Sequence, residues 1–286
     1  MVTSWQDRVF NVCNAVFLCL IVVVVMFPLL YVISVSLTPY SEVLKNGGFV
    51  VIPKQITFEA YAAFLSDSLI PRAYRVTIFI TVVGTALNLF FTALMAYPLS
   101  KPYLPGRTVL LFLVAFTLLF NGGVVPTYLV VKATGLVNSV WSMIIPSIVW
   151  SFNLLIMKTF FEGLPKELDE AARIDGAGEL TILAKIILPL SMPVMATVGL
   201  FYAVGHWNEF FQAIMYIHNN EKYPLQVILR NILASTMMPP LDAEDVLPSE
   251  SMQMAAVVLS ALPIIVVYPF VQKYFTQGML LGSVKG

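Results

Sequence analysis

Charge is the scarcest commodity in this sequence. Only 11% of its 286 residues are Asp, Glu, Lys or Arg, against about 25% in an ordinary soluble domain. The formal net charge is zero, which removes the basic footprint of a nucleic-acid binder. Histidine occurs twice, as His206 and His218, and cysteine twice, as Cys13 and Cys19. That inventory is too poor for the converging nucleophiles, bases or metal ligands of a membrane-embedded enzyme, so no catalytic residue and no metal site is expected. Cys13 and Cys19 sit on one apolar run, cannot bridge each other there and match no metal spacing. They read as small packing residues. No Gly-x-x-x-x-Gly-Lys-[Ser/Thr] phosphate loop occurs, and no lysine follows a glycine. The chain is therefore expected to hydrolyse no ATP and to bind no cofactor of its own. The apolar runs also lack the carboxylate chains of a proton relay.

What the sequence has is oil, 59% hydrophobic residues laid down in long uncharged runs. These runs are Val9 to Ser41, Val76 to Ser100, Thr108 to Val131, Ala133 to Met157, Ile186 to Asn208 and Ser251 to Gln272. Each exceeds the roughly 20 residues that cross a hydrocarbon core. The expectation is an all-α, polytopic membrane protein with six transmembrane helices. They cover about Val12 to Leu37, Tyr74 to Leu99, a third starting near Thr108, Val140 to Phe160, Ser191 to Tyr216 and Met254 to Phe275. Asn121-Gly122-Gly123 and Pro126 should break the third into a re-entrant or shallow helix, tolerated where it packs on protein or lines a cavity. Two polar excursions, Thr38 to Pro71 and Ile217 to Gln253, lie outside the membrane. The second carries Pro239-Pro240, Pro248 and an acidic patch of Asp242, Glu244, Asp245 and Glu250. Residues 1–70 form an N-terminal helix and outer segment, and residues 71–286 the core transmembrane domain. The first apolar run has no small-residue cleavage site near its end and is expected to stay as an anchor.

One segment is both charged and amphipathic, residues 165–189, PKELDEAARIDGAGELTILAKIILP. Pro165 suits a first helical turn, and Glu167, Asp169 and Glu170 sit where the helix dipole favours negative charge. Leu168, Ala171, Ala172 and Asp175 fall at helical spacing on one face, where the two alanines let another surface approach closely. Asp175-Gly176-Ala177-Gly178 ends the helix, with Gly176 free to turn left-handed. A second short helix ends at Pro189. The product is an elbow. A basic face would be expected of a helix lying on lipid, and this one is acidic.

The elbow resembles the EAA motif of permease subunits in binding-protein-dependent ABC importers. Glu170-Ala171-Ala172, then Gly176, then Ile186-Ile187-Leu188-Pro189 keep the motif's spacing throughout. The ending, Gly282 to Gly286, is similar to that of maltose-type permeases, and Trp207-Asn208-Glu209-Phe210-Phe211 to carbohydrate-importing members. The resemblance implies a type I importer permease fold with a cytoplasmic coupling helix. It implies coupling to an ATPase through Glu170, Ala171, Ala172, Arg173, Asp175 and Gly176, with a tail contact through Val284, Lys285 and Gly286. It further implies a second, related permease subunit, two ATPase subunits that bind ATP and Mg, an external solute-binding protein and an oligosaccharide cargo.

Late in the fifth run His206, Trp207, Asn208 and Glu209 interrupt the apolar pattern. Two readings stand. Hydrogen bonding between helices is one; lining the cargo pathway, with Trp207 stacked on a sugar and Asn208 bonding hydroxyls, is the other. Asn153, Asn88 and Asn121 are weaker candidates of the same kind. With six spans both termini and the elbow share a side, which holds nine of the sixteen basic residues. The tight turn from Lys101 to Arg107 has no acid, so both termini are expected in the cytoplasm of a bacterial inner-membrane protein. A membrane-embedded enzyme or a non-transporting scaffold subunit is the alternative class.

Overall fold

Backbone groups that leave water must be satisfied within their own segment, and the uncharged runs meet that demand as helices. The computed structural model describes residues 5–66, 68–237 and 249–283, with no strand among them. α1 (Trp5–Ser36) and α2 (Leu69–Ser100) each run for 32 residues, about 48 Å at 1.5 Å per residue. α3 (Arg107–Leu119) and α4 (Val124–Ala133) meet at a 117° bend. Asn121 Oδ1 accepts the Gly123 N–H at 2.8 Å inside that bend, which is the break the glycine pair predicts.

The fourth span departs from the continuous helix expected over Val140 to Phe160. Two 3-10 turns, Val140–Met143 and Ile145–Ser147, come first, and α5 (Ser151–Glu162) follows at 50°. Pro146 supplies no N–H and crowds the preceding turn, which favours a break in the helix there. Next come α6 (Lys166–Ile174), a second arm over Glu179–Leu190, and α7 (Met192–Trp207), bent 84° from that arm. The fifth span also differs from expectation, since α7 stops at Trp207 and α8 (Phe211–Tyr216) restarts after a gap. α9 (Leu225–Met237) and α10 (Glu250–Ser283), with Pro263 and Pro269 inside it, come last, and two short helices, Tyr40–Lys45 and Glu59–Ser66, lie between α1 and α2. Among the described residues, three helices are long and apolar enough to cross a membrane singly, and up to six crossings result when each of three bent pairs counts as one.

The described residues fall into two compact units, one from residues up to Ile70 with those of Leu229–Leu262, the other from Pro71–Ile228 with those of Pro263–Gly286. In the first, the outer excursion is ordered by its own bonds. Tyr31 Oη donates to Gly48 O at 2.7 Å, Thr57 N to Leu37 O at 2.8 Å, and Ser251 Oγ to Thr38 O at 2.8 Å. Val35, Val43 and Val50 form its small buried core. In the second unit, α2, α5 and α7 bury Ala93, Ala96, Leu154, Met157, Val194, Val198 and Tyr202 together. Glycine allows the approach at Gly205, where an added Cβ would collide with the Trp150 ring. Pro239, Pro240, Asp242, Glu244, Asp245 and Pro248 lie outside the described residues.

Candidate functional site

The elbow forms as its sequence dictates. Pro165 precedes α6 as its cap, and Glu167 and Asp169 occupy the first turn. At the far end Ala177 N donates to Ala172 O at 2.9 Å and Gly176 N to Arg173 O at 3.0 Å. These are the paired bonds of a Schellman closure, and they need the left-handed backbone that Gly176 adopts at φ +77°. The second arm widens into a π-helical turn over Leu183–Ile187, running into Pro189. A wider turn leaves backbone room ahead of a residue that cannot donate.

The two faces of α6 do different things. Ala172 is buried and Leu168 and Asp169 are half-buried, an inward stripe at i, i+1 and i+4. Glu167, Glu170, Ala171 and Ile174 are exposed on the opposite side. Leu168 and Ala172 therefore part company with Ala171 and Asp175, which the sequence had grouped on one face. Ile174 is 85% exposed and Leu180, on the second arm, 73%. Both are large apolar side chains standing in the open on an otherwise polar elbow.

The inward side is fastened by charge. Lys101 pairs with Asp169, and Arg173 with Glu179 at 2.7 Å. The Arg173 guanidinium also lies 4.9 Å above the Tyr103 ring and donates to the Tyr103 hydroxyl. That hydroxyl bond, helped by the charge of Glu179, raises the Arg173 pKa above its ordinary value. A cleft of about 340 Å³ opens beside these residues, lined by Lys101, Tyr103, Pro165, Asp169, Glu170 and Arg173 among others.

The polar cluster near the end of the fifth run is placed differently from residue to residue. His206 is buried, with Nε2 3.0 Å from Asn88 Oδ1, while Asn88 Nδ2 donates to Ser147 O at 2.9 Å. Trp207 is buried as well. Asn208 is exposed and its Nδ2 donates to Val204 O at 2.9 Å, closing the end of α7. Glu209 is half-buried, and its Oε1 accepts the Gln212 N–H at 2.9 Å at the start of α8. Asn153 is buried on α5, and its Nδ2 has no hydrogen-bond partner among the described residues. Val284, Lys285 and Gly286 lie outside the described residues.

The family model of the binding-protein-dependent transport system inner membrane component matches residues 1–281 of this chain. The chain belongs to that family. The permease is 48% identical over 286 residues to Protein LplC of Bacillus subtilis (strain 168), covering 98% of this chain and 96% of that protein. It is 42% identical over 286 residues to the polygalacturonan/rhamnogalacturonan transport system permease protein YtcP of the same organism, covering 98% and 100%. Among solved structures, it is similar to a bacterial ABC transporter involved in the import of the acidic polysaccharide alginate. There the TM-score is 0.89 at 36% identity, over 96% of this chain and 99% of that one. The type I importer permease fold expected from the EAA spacing is thus the fold of this chain, and it is a multi-pass component of a transport system.

Sequence reasoning did not single out Ile174, and it read Leu180 only as one apolar residue of the second short helix, with Leu183, Ile186 and Ile187. The signal was present, since an isoleucine next to the helix-ending Asp175-Gly176 pair, on the face opposite Ala172, has no core to enter. Tyr97 and Tyr103 were missed for a different reason. Nothing local links them to a segment some seventy residues away.

Proposed function

We propose that this permease forms half of an inward pathway for an acidic oligosaccharide, and that separate ATPase subunits drive it by pushing on the elbow. The observation that carries the reading is the division of α6 into a fastened inward face and an open outward one. A helix whose Glu167, Glu170, Ala171 and Ile174 face outward while Leu168, Asp169 and Ala172 hold it down has the build of a docking element. Ala171 lets a partner backbone approach, and Ile174 and Leu180 supply apolar area that water penalises at about 25 cal/mol per Å². ATP and Mg belong to the partner ATPases in this reading. The elbow and both termini face the cytoplasm, and Val284, Lys285 and Gly286 reach the ATPases. The second permease is a related chain, and an external solute-binding protein delivers the cargo.

The cargo class rests on the relatives. One is named for polygalacturonan and rhamnogalacturonan transport, and a solved relative imports an acidic polysaccharide. For the pathway itself, Asn208 is exposed and Glu209 half-buried, so these two are the candidates to meet a passing sugar, while His206, Trp207 and Asn153 are buried. The test is uptake by the complete importer in proteoliposomes, with oligogalacturonates and neutral maltooligosaccharides as competing substrates. Preferential uptake of the acidic set supports the cargo class, and equal or reversed preference contradicts it. Loss of ATP dependence would contradict the transport mechanism.

A further inference from the structure

The elbow is covalently continuous with α5 on one side and, through the second arm, with α7 on the other. The structure shows a third attachment that no chain continuity supplies. Three side chains at the C-terminal end of α2 and the turn beyond it grip three side chains of the elbow. Lys101, 8% exposed, pairs with Asp169 of α6, and its Nζ lies 4.5 Å from the centre of the Tyr97 ring. The Tyr97 hydroxyl donates to Glu179 Oε2 at 2.7 Å, on the second arm. Glu179 Oε1 takes the Arg173 guanidinium at 2.7 Å, and Arg173 returns to Tyr103. The contacts thus link both helices of the elbow to each other and to α2.

We propose that Tyr97, Lys101 and Tyr103 are positioning residues for coupling: through this clasp the elbow moves α2 together with α5 and α7. The inference rests on the reading of the elbow as the ATPase contact. Three features support it. The Lys101–Asp169 pair is nearly out of water, with side chains 10% and 18% exposed, so screening does little to loosen it. Breaking one partner of such a pair leaves the other charge uncompensated, which makes the joint stiff rather than sliding. Next, α2 carries Tyr97 and Ala96 into the same buried core as Leu154 of α5 and Val198 of α7, so a pull at its end reaches the packed interior. Finally, Ile174 takes no part in the clasp and stays exposed on α6.

The test uses the complete importer in proteoliposomes, measuring cargo transported per ATP hydrolysed. The variants are Lys101→Asp, Asp169→Lys and the double exchange. Each single reversal is expected to lower the ratio about fivefold or more, and the exchange to recover most of the loss. Tyr97→Phe, which removes only the hydroxyl on Glu179, is the milder variant if a charge reversal fails to fold, and it should lower the ratio in the same direction. A reporter Ile174→Cys, cross-linked to the ATPase subunit in every sample, separates the two ideas. Intact cross-linking with a wild-type ratio in the single variants and in Tyr97→Phe overturns the clasp and leaves the docking reading standing. A lowered ratio that the exchange does not recover assigns Lys101 and Asp169 to stability alone and also overturns it. No cross-link even with the clasp unmodified overturns the docking reading itself.

Discussion

Nε2 of His206 on α7 lies 3.0 Å from Oδ1 of Asn88 on α2, in a spot where both residues are buried. Because Asn88 Nδ2 donates to Ser147 O, Oδ1 is the acceptor, and the proton of this bond sits on Nε2 of the histidine. The pair ties two spans together, with Ser147 as a third point. His206→Ala is expected to cost about 1–3 kcal/mol by leaving the Asn88 oxygen unpaired. Thermal unfolding in detergent should show a lowered midpoint, with the preference among competing sugars unchanged. A changed preference at wild-type stability would move His206 to the pathway surface.

Tyr202 does two jobs with one oxygen. Its hydroxyl shares a 2.7 Å bond with Thr92 and accepts the backbone N–H of Trp150 at 3.0 Å, and the two rings lie 4.9 Å apart. Tyr202→Phe keeps the ring and strands the Trp150 donor at the start of α5. The predicted loss is about 1–3 kcal/mol, read as a lower melting midpoint. An unchanged midpoint would mean the hydroxyl is not the tie between α5 and α7.

Glycine positions should differ sharply in tolerance. Gly205→Ala drives a methyl group into the Trp150 ring, and overpacking of this kind costs about 1–3 kcal/mol. Gly122→Ala meets nothing within 4 Å and has no positive φ, so it should be silent. Expression level and melting midpoint of the two variants check the contrast. Equal behaviour would contradict the packing of α5 against α7.

At the elbow, Gly176→Pro forces a φ near −65° where the chain needs +77°. The Schellman closure cannot form, yet no membrane-spanning segment changes. Insertion should be intact while ATP hydrolysis no longer drives uptake. Substrate-stimulated ATPase activity equal to wild type would count against a mechanical role for this joint.

Much of this was legible in the sequence, and the losses have definite causes. Each uncharged run holds one of the three long apolar helices or part of one of the three bent pairs. The glycine at position 176 announced its own backbone. Pro146 was visible, but a proline inside an apolar run reads as a kink or as a break, and here it reduces the first half of the span to 3-10 turns. Trp207-Asn208-Glu209 looked like a polar cluster inside one helix. The structure spends Asn208 on closing α7 and Glu209 on opening α8, two short-range bonds that hydropathy cannot separate from a binding patch. The face of α6 was misassigned by grouping Ala171 with Ala172. Neighbours on a helix lie about 100° apart, and only tertiary packing decides which alanine turns inward.

The most direct test of the account is the position of Ile174 in the working transporter. Ile174→Cys, in a chain with Cys13 and Cys19 replaced, should cross-link to a cysteine on the ATPase subunit, with a yield that changes when ATP is added, and it should resist impermeant thiol reagents applied from outside. Labelling from the outer side, or no cross-link in an importer that is actively transporting, would contradict it.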